Sequence, residues 1–283
     1  TKSDAREGID KLVQNLVSFI DQFKEIKPSA IGIGIPGIIN QKEGNLTQAP
    51  NISGVYDFPI VKVLEDKLSS TTPIVIENDA SSAAAGEFWK GSCKDSNSMI
   101  MLTIGTGLGG GIILNKQLWR GEDGMAGEIG HMIIDPNGPE CNCGSNGCLE
   151  SFVSAEALRR IVRNSPSLRA KTVNTEPDHI PEKIRDLALE GDDEAIKIWL
   201  DFGRYLGMGI TSLINLLNVD SIVIGGGLSN AWDLFIDSTG SEIKKRALEG
   251  PKTNLNIFKA ELGDDAGIFG SAYLAFKKLE AIN

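Results

Sequence analysis

Apolar residues at Ile9, Leu12, Val13, Leu16, Val17, Ile20 and Phe23 recur every three or four positions, so the spacing predicts an amphipathic helix over residues 4–23. The period then switches. Over residues 30–39, Ile31, Ile33 and Ile35 alternate with Gly32 and Gly34, as in a strand that ends at Pro36-Gly37. A polar stretch, 40–54, follows. Residues 58–69 read as a short helix with Pro59 in its first turn, 73–77 as a buried strand and 79–90 as an alanine-rich helix. Residues 98–105 form a strand, followed by a glycine turn and a second strand over 111–119. Residues 154–164 are helical, 166–181 polar and loop-like, and 192–217 a long helix with Ile196, Trp199, Leu200, Leu206, Ile210, Leu213 and Leu217 on its apolar side. A strand over 221–224 runs into three glycines; another strand, 255–262, and a helix, 266–279, complete the pattern.

Strands alternating with helices predict an α/β architecture with central sheets. A chain of 283 residues allows one large domain or two lobes, and the new pattern near Gly105 suggests a lobe change there. The net charge of −10 opposes phosphate backbones and anionic lipid, so neither nucleic acid nor membrane is an expected partner. An apolar fraction of 41% supports a real core, which argues against disorder. No apolar run reaches the roughly 18–20 residues of a bilayer span, and no secretory signal is visible. Three of the four cysteines fall in one eight-residue window, which suggests metal binding in a reducing compartment and hence a cytoplasmic protein. The chain opens at Thr1 rather than Met, so a missing upstream segment is expected.

Four constellations carry chemistry. Gly105, Thr106, Gly107, Leu108, Gly109, Gly110 and Gly111 lie between two apolar strands, and Gly225, Gly226 and Gly227 follow another. Glycine lets the main chain bring bare N–H groups against an anion, and two such runs after buried strands point to a nucleotide. Neither run fits a P-loop or a dinucleotide fingerprint; a pair of tight turns is the plainer alternative. Glu77-Asn78-Asp79-Ala80 marks a strand giving way to a helix. Asp79 there would stay ionised and accept a proton from a substrate hydroxyl, or one of Asn78 and Asp79 would simply cap the helix. His131, Cys141, Cys143 and Cys148 supply one imidazole and three thiols, the ligand count of a closed tetrahedral zinc site. Such a site has no open position for water, so the metal would be structural; Cys93 stands apart as an ordinary small residue. Glu128 and Glu150 flank that set, where a pinned loop would hold both carboxylates for sugar hydroxyls; otherwise they are surface glutamates.

Gly127-Glu128-Ile129-Gly130-His131, followed by Cys141-Asn142-Cys143-Gly144-Ser145-Asn146-Gly147-Cys148-Leu149-Glu150, resembles the signature of the ROK family of sugar kinases and sugar-responsive repressors. Residues 77–80, the run from Gly105 to Gly111 and the run from Gly225 to Gly227 match further blocks of that family in order. The resemblance covers nearly the whole chain and is nearest to bacterial glucokinases. It implies a two-lobed actin/hexokinase-like (ribonuclease H-like) fold with hexose and ATP in a cleft: a small lobe of residues 1–104 plus 266–283, and a large lobe of residues 105–265 with the zinc loop.

It also implies Asp79 as general base on the 6-hydroxyl of a hexose, most readily glucose. Gly37, Asn78, Glu128, His131 and Glu150 would sit around the sugar, with His131 also a zinc ligand. The first glycine run would line the phosphates of ATP, taken with Mg, and the second the adenosine side. The resemblance leaves open a sugar-binding effector domain of a repressor, and an N-acetylhexosamine as substrate. A homodimer or higher homo-oligomer is expected. One departure stands out: the Asp-x-Gly-Gly-Thr phosphate loop at the start of family kinases is not found in this chain. The small lobe is therefore expected to lack its first strands, and the 283-residue form to bind hexose and zinc but to transfer phosphate poorly.

Overall fold

The alternation of isoleucine and glycine folds as the pattern requires. In the computed structural model, which describes residues 7–49, 52–69 and 71–282, the chain runs through α1 (Ile9–Asp21), β1 (Ile31–Ile35), β2 (Ile38–Asn40), β3 (Asn45–Gln48), α2 (Ile60–Leu68), β4 (Ile74–Asn78) and α3 (Asp79–Lys90). It continues through β5 (Met99–Ile104), β6 (Leu108–Leu114), β7 (Gln117–Leu118), α4 (Ala155–Asn164), α5 (Pro166–Lys171), α6 (Ile180–Leu189) and α7 (Asp193–Leu217). It ends with β8 (Ser221–Gly225), α8 (Trp232–Arg246), α9 (Glu249–Thr253), β9 (Asn256–Lys259) and α10 (Ala266–Ile282). The expected start of the first helix near residue 4 lies outside the described residues.

Several expectations need correction. The polar stretch after Gly37 contains a hairpin: β2 pairs antiparallel with β3, and Ile39 and Leu46 are fully buried beneath it. Residues 166–181 are largely helical, not a loop. Their prolines hide this, because Pro166 and Pro181 occupy first-turn positions, where a missing N–H costs nothing, and Ser165 caps α5 by accepting from the Leu168 amide at 3.2 Å. The glycine turn spans only residues 105–107, while Gly109, Gly110 and Gly111 lie in β6. At Gly111 the reason is packing: a Cβ there would overlap the Ala84 methyl of α3. The strand expected over 111–119 breaks at Asn115 and Lys116, both at positive φ, before β7. The helix α8 had no counterpart in the predicted pattern.

The chain divides into two compact units. One draws on the chain up to Asp95, on Gly111–Gly127 and on the segment from Glu261 onward; the other comprises Ser96–Gly110 and Glu128–Ala260. In the first unit β1 runs parallel to β4, in register from Ile31 opposite Ile74 to Ile35 opposite Asn78. Ile9, Leu12 and Val13 of α1 join Ile35, Ile39, Leu46, Ile60, Leu64 and Ile76 in one core. The glycines of β1 serve the other face: a Cβ on Gly32 would overlap the backbone of Ser271 in α10. The same economy joins α3 to α10. A Cβ at Gly86 would strike the Ala266 carbonyl, and one at Gly270 the Ser82 carbonyl, so the two helices meet backbone to backbone. Glu87, fully buried in α3, is satisfied by N–H donors from Ser92 at 2.9 Å and Leu262 at 2.8 Å and by the Ser92 hydroxyl at 3.1 Å.

In the second unit β5 pairs parallel with β8, and β8 with β9. The long α7 lies on α8 through Gly203 and Gly207, which leave no room for side chains against the Phe235 and Thr239 carbonyls. Thr239 Oγ1 donates to the Gly203 carbonyl at 3.0 Å. Trp199, Phe202 and Phe235 form the aromatic centre of this core, with ring centroids 5.1–6.2 Å apart. Among the described residues no helix is long and apolar enough to cross a membrane.

Candidate functional site

The first unit presents its chemistry where β4 becomes α3. Asn78 is the helix cap, its Oδ1 accepting from the Ser81 amide at 3.0 Å. That settles which of the two polar residues caps. Asp79 is left as the first helical residue, exposed, with Oδ1 accepting from its neighbour Ala80 N at 2.9 Å. The other end of the Asn78 amide donates to the Gly37 carbonyl at 3.1 Å. Gly37 sits at φ 134°, and a Cβ would overlap the Gln48 carbonyl, so only glycine makes this turn. Gly37, Asn78 and Asp79 are therefore one connected group. Behind them Glu77 is buried and paired with Arg120, Nε to Oε2 2.6 Å, a partner the sequence pattern did not reveal.

A cavity of about 860 Å³ in the same unit, bordered by Gln41, Lys116 and Tyr273, holds none of the predicted site residues. Three of its cations, Lys42, Arg120 and Lys277, are paired with Glu122, Glu77 and Glu280.

The second unit gathers the remaining polar groups around an irregular hairpin over 132–149. Its backbone bonds tie turn to turn: Ile134 N donates to Gly147 O at 2.9 Å, Gly147 N to Pro139 O at 2.8 Å, Cys141 N to Ser145 O at 2.8 Å, and Leu149 N to Met132 O at 2.8 Å. Gly144 and Gly147 turn the chain at positive φ. The outcome is that His131, Cys141, Cys143 and Cys148 bring their ligand atoms within 4.8 Å of one another. His131 Nδ1 lies 3.7 Å from Cys141 Sγ, and Cys143 Sγ lies 3.6 Å from Cys148 Sγ. Four donors bound tetrahedrally at Zn–S distances of about 2.3 Å would stand about 3.8 Å apart, so the set fits a zinc ion.

The electrostatics agree. Burial pushes the Cys148 thiol up to about 12 and raises that of Cys141, whereas the Ser145 backbone N–H lowers that of Cys143. Thiols packed this closely resist ionising together unless a cation lies among them.

The imidazole that turns Nδ1 toward the thiols presents Nε2 on the other side, 3.9 Å from Glu128 Oε2. Glu128 precedes the short 3-10 turn Ile129–His131, where a Cβ on Gly130 would overlap the Leu108 carbonyl. Glu150 begins beside Cys148 on a second 3-10 turn, Leu149–Ser151, against which Gly209 of α7 packs without a side chain. Its Oε2 accepts from Leu108 N at 2.8 Å, and its Oε1 lies 3.9 Å from Cys141 Sγ. No local pattern announces that link, because 42 residues separate its ends.

The glycines of the two runs differ in the space around them. Gly105 and Gly227 have open space where a side chain would be, whereas a Cβ at Gly225 would crowd the Met101 and Ala260 side chains and one at Gly226 would overlap the Ile104 backbone. Thr106 is exposed, and the Gly105 carbonyl accepts from the Ala155 amide at the start of α4 at 2.9 Å.

A mixed α/β chain with these blocks in this order has well-defined relatives. The structure superposes on a ROK hexokinase from Thermus thermophilus with a TM-score of 0.80 at 31% identity, covering 98% of this chain and 89% of that one. It also superposes on a ROK family glucokinase from Streptomyces griseus in complex with glucose and AMPPNP, with a TM-score of 0.78 at 30% identity, covering 95% and 89%. It therefore has the actin-like ATPase fold of those kinases. The model of the ROK family matches residues 1–278, and the chain belongs to that family. A glucokinase of Halalkalibacterium halodurans is 38% identical over 86% of this chain and 75% of its own length. A putative xylose repressor of a Caldicellulosiruptor species is 30% identical over 97% of this chain and 71% of its own.

Proposed function

We propose that the protein is an ATP-dependent hexose kinase that phosphorylates the 6-hydroxyl of glucose. The observation that carries this reading is the start of α3. Asn78 takes the capping role, so Asp79 keeps an exposed carboxylate at the helix N-terminus, open to a substrate hydroxyl. Asp79 accepts the proton of the 6-hydroxyl as that oxygen bonds to the γ-phosphorus of ATP; the bond from γ-phosphorus to the bridging oxygen breaks, and ADP leaves with the electron pair. ATP enters with Mg²⁺, which offsets phosphate charge. Asn78 and the Gly37 turn border the sugar, while Glu128, His131 Nε2 and Glu150 accept or donate to its other hydroxyls. The turn at Gly105 and Thr106, where the backbone is open, faces the phosphates, and the open backbone at Gly227 faces the adenosine. His131, Cys141, Cys143 and Cys148 would hold a structural zinc, whose part is to fix the loop that carries the sugar groups.

The glucose and AMPPNP held by the Streptomyces griseus relative support this reading. The similarity to a xylose repressor over 97% of the chain supports a second one, a sugar-binding effector domain. A coupled assay on the full-length protein with ATP, Mg²⁺ and either glucose or an N-acetylhexosamine separates them. The proposal expects turnover with glucose as the better substrate. Preference for the N-acetyl sugar changes the substrate alone, and sugar binding without turnover favours the effector domain.

A further inference from the structure

The contact between Glu150 and the turn at 105–107 has a consequence for Gly107. Glu150 reaches back over 42 residues to accept from Leu108 N at 2.8 Å, and its Oε2 occupies the space a Cβ on Gly107 would need. Gly107 has an ordinary backbone conformation, so no positive φ requires glycine here. The other glycine of the turn, Gly105, has nothing near its absent side chain. The missing side chain at Gly107 thus makes room for one particular group, a carboxylate. With Oε2 fixed on the Leu108 amide, the carboxylate is tied down on the side of the turn. A side chain with three rotatable bonds is held in one pose before any ligand arrives, which removes part of the ordering cost of binding.

We propose that Gly107 is a positioning residue for the hexose: it admits the Glu150 carboxylate onto the Leu108 N–H and so aims that carboxylate at the sugar. The proposal rests on the kinase reading only for the identity of the sugar. It departs from that reading by giving a glycine of the phosphate-facing run a role in sugar affinity that needs no nucleotide. A methyl at 107 meets the far end of a flexible side chain, so Gly107→Ala is expected to fold and to displace the carboxylate.

The test is calorimetric titration of the full-length protein with D-glucose in the absence of nucleotide, paired with amide hydrogen exchange at Leu108. Gly107→Ala is expected to weaken glucose binding at least about tenfold, on the scale of a misplaced binding group, and to speed exchange at Leu108. Glu150→Ala must speed exchange at Leu108 as well. A glucose affinity in Gly107→Ala within twofold of the parent, with only the KM for ATP raised, overturns the proposal, because the glycine then serves the nucleotide alone. Persistent protection of Leu108 in Glu150→Ala overturns it independently. If the parent itself binds no glucose, the assignment of glucose as the sugar fails instead, and the exchange arm still decides whether Gly107 seats Glu150.

Discussion

The start of α3 and the hairpin over 132–149 both present polar groups for a ligand, yet they are held in opposite ways. At α3 regular structure does the holding: β4 is registered against β1, Asn78 caps the helix and ties to the Gly37 carbonyl, and α3 is seated on α10 through Gly86 and Gly270. The hairpin has isolated bridges, at Ile133 with Cys148 and at Glu140 with Asn146, and its geometry converges on three thiols and an imidazole. A group on the first framework can be altered chemically without moving. A group on the second is positioned by a loop folded around the cluster.

The largest effect should come from chemistry on the rigid framework. Asp79→Asn retains the size of the side chain and an oxygen for the Ala80 amide, and removes the proton acceptor. Turnover should fall about 10²–10⁴-fold, with glucose affinity and melting temperature close to those of the parent. Steady-state kinetics with a melting curve is the measurement. A variant that loses its fold together with its activity would show that the Asp79 carboxylate also holds α3 in place.

On the hairpin the order of causes reverses. Cys148→Ser removes the most buried of the thiols, and should abolish stoichiometric zinc, as read by metal analysis of unchelated protein. Glucose affinity should then drop about 10–100-fold, the usual scale for losing the frame around a metal site, although Cys148 itself faces the cluster. Parent protein without bound zinc, or a Cys148→Ser variant with normal glucose affinity, breaks the contrast between the two regions.

Sequence showed these regions unequally. The ends of α3 were legible because local chemistry writes them: Asn78-Asp79 at the start, Lys90-Gly91 at the stop. The cluster of His131 and the three cysteines was legible from spacing, because two glycines beside the cysteines let the chain fold back on itself. What stayed hidden was long-range. Glu150 meets Leu108, Glu77 meets Arg120, and Gly111 meets Ala84 only after the chain has folded. The run from Gly105 to Gly111 therefore read as one turn, when its second half is a strand thinned for packing. The helices α5 and α6 were masked by prolines that suit a first turn, and the periodic positions of α8, Phe235, Thr239 and Ile243, include a threonine that dilutes the apolar signal.

Packing supplies the next effect in size. Gly270→Ala forces a methyl onto the Ser82 carbonyl, a backbone atom with no freedom to give way. Overpacking of this kind costs about 1–3 kcal/mol, and urea unfolding should show a lower midpoint. The zinc content should not change, since the substitution lies in the first unit and the thiols in the second. Zinc loss in Gly270→Ala would mean that the two regions are not held independently.

The smallest effect tests the cap itself. Asn78→Ala removes both the acceptor for the Ser81 amide and the donor to the Gly37 carbonyl, and should cost about 1 kcal/mol or slightly more. Asn78→Ser replaces the acceptor, because a serine oxygen caps a helix about as well as asparagine, and forfeits only the tie to Gly37. Its stability should lie between the parent and Asn78→Ala, and the gap between the two variants measures the cap. Glucose affinity should fall in both by a similar factor, since the Gly37 turn loses its partner in each. Equal stability of Asn78→Ser and Asn78→Ala would mean that the cap contributes nothing, and that α3 owes its fixed start to the crossing with α10 alone.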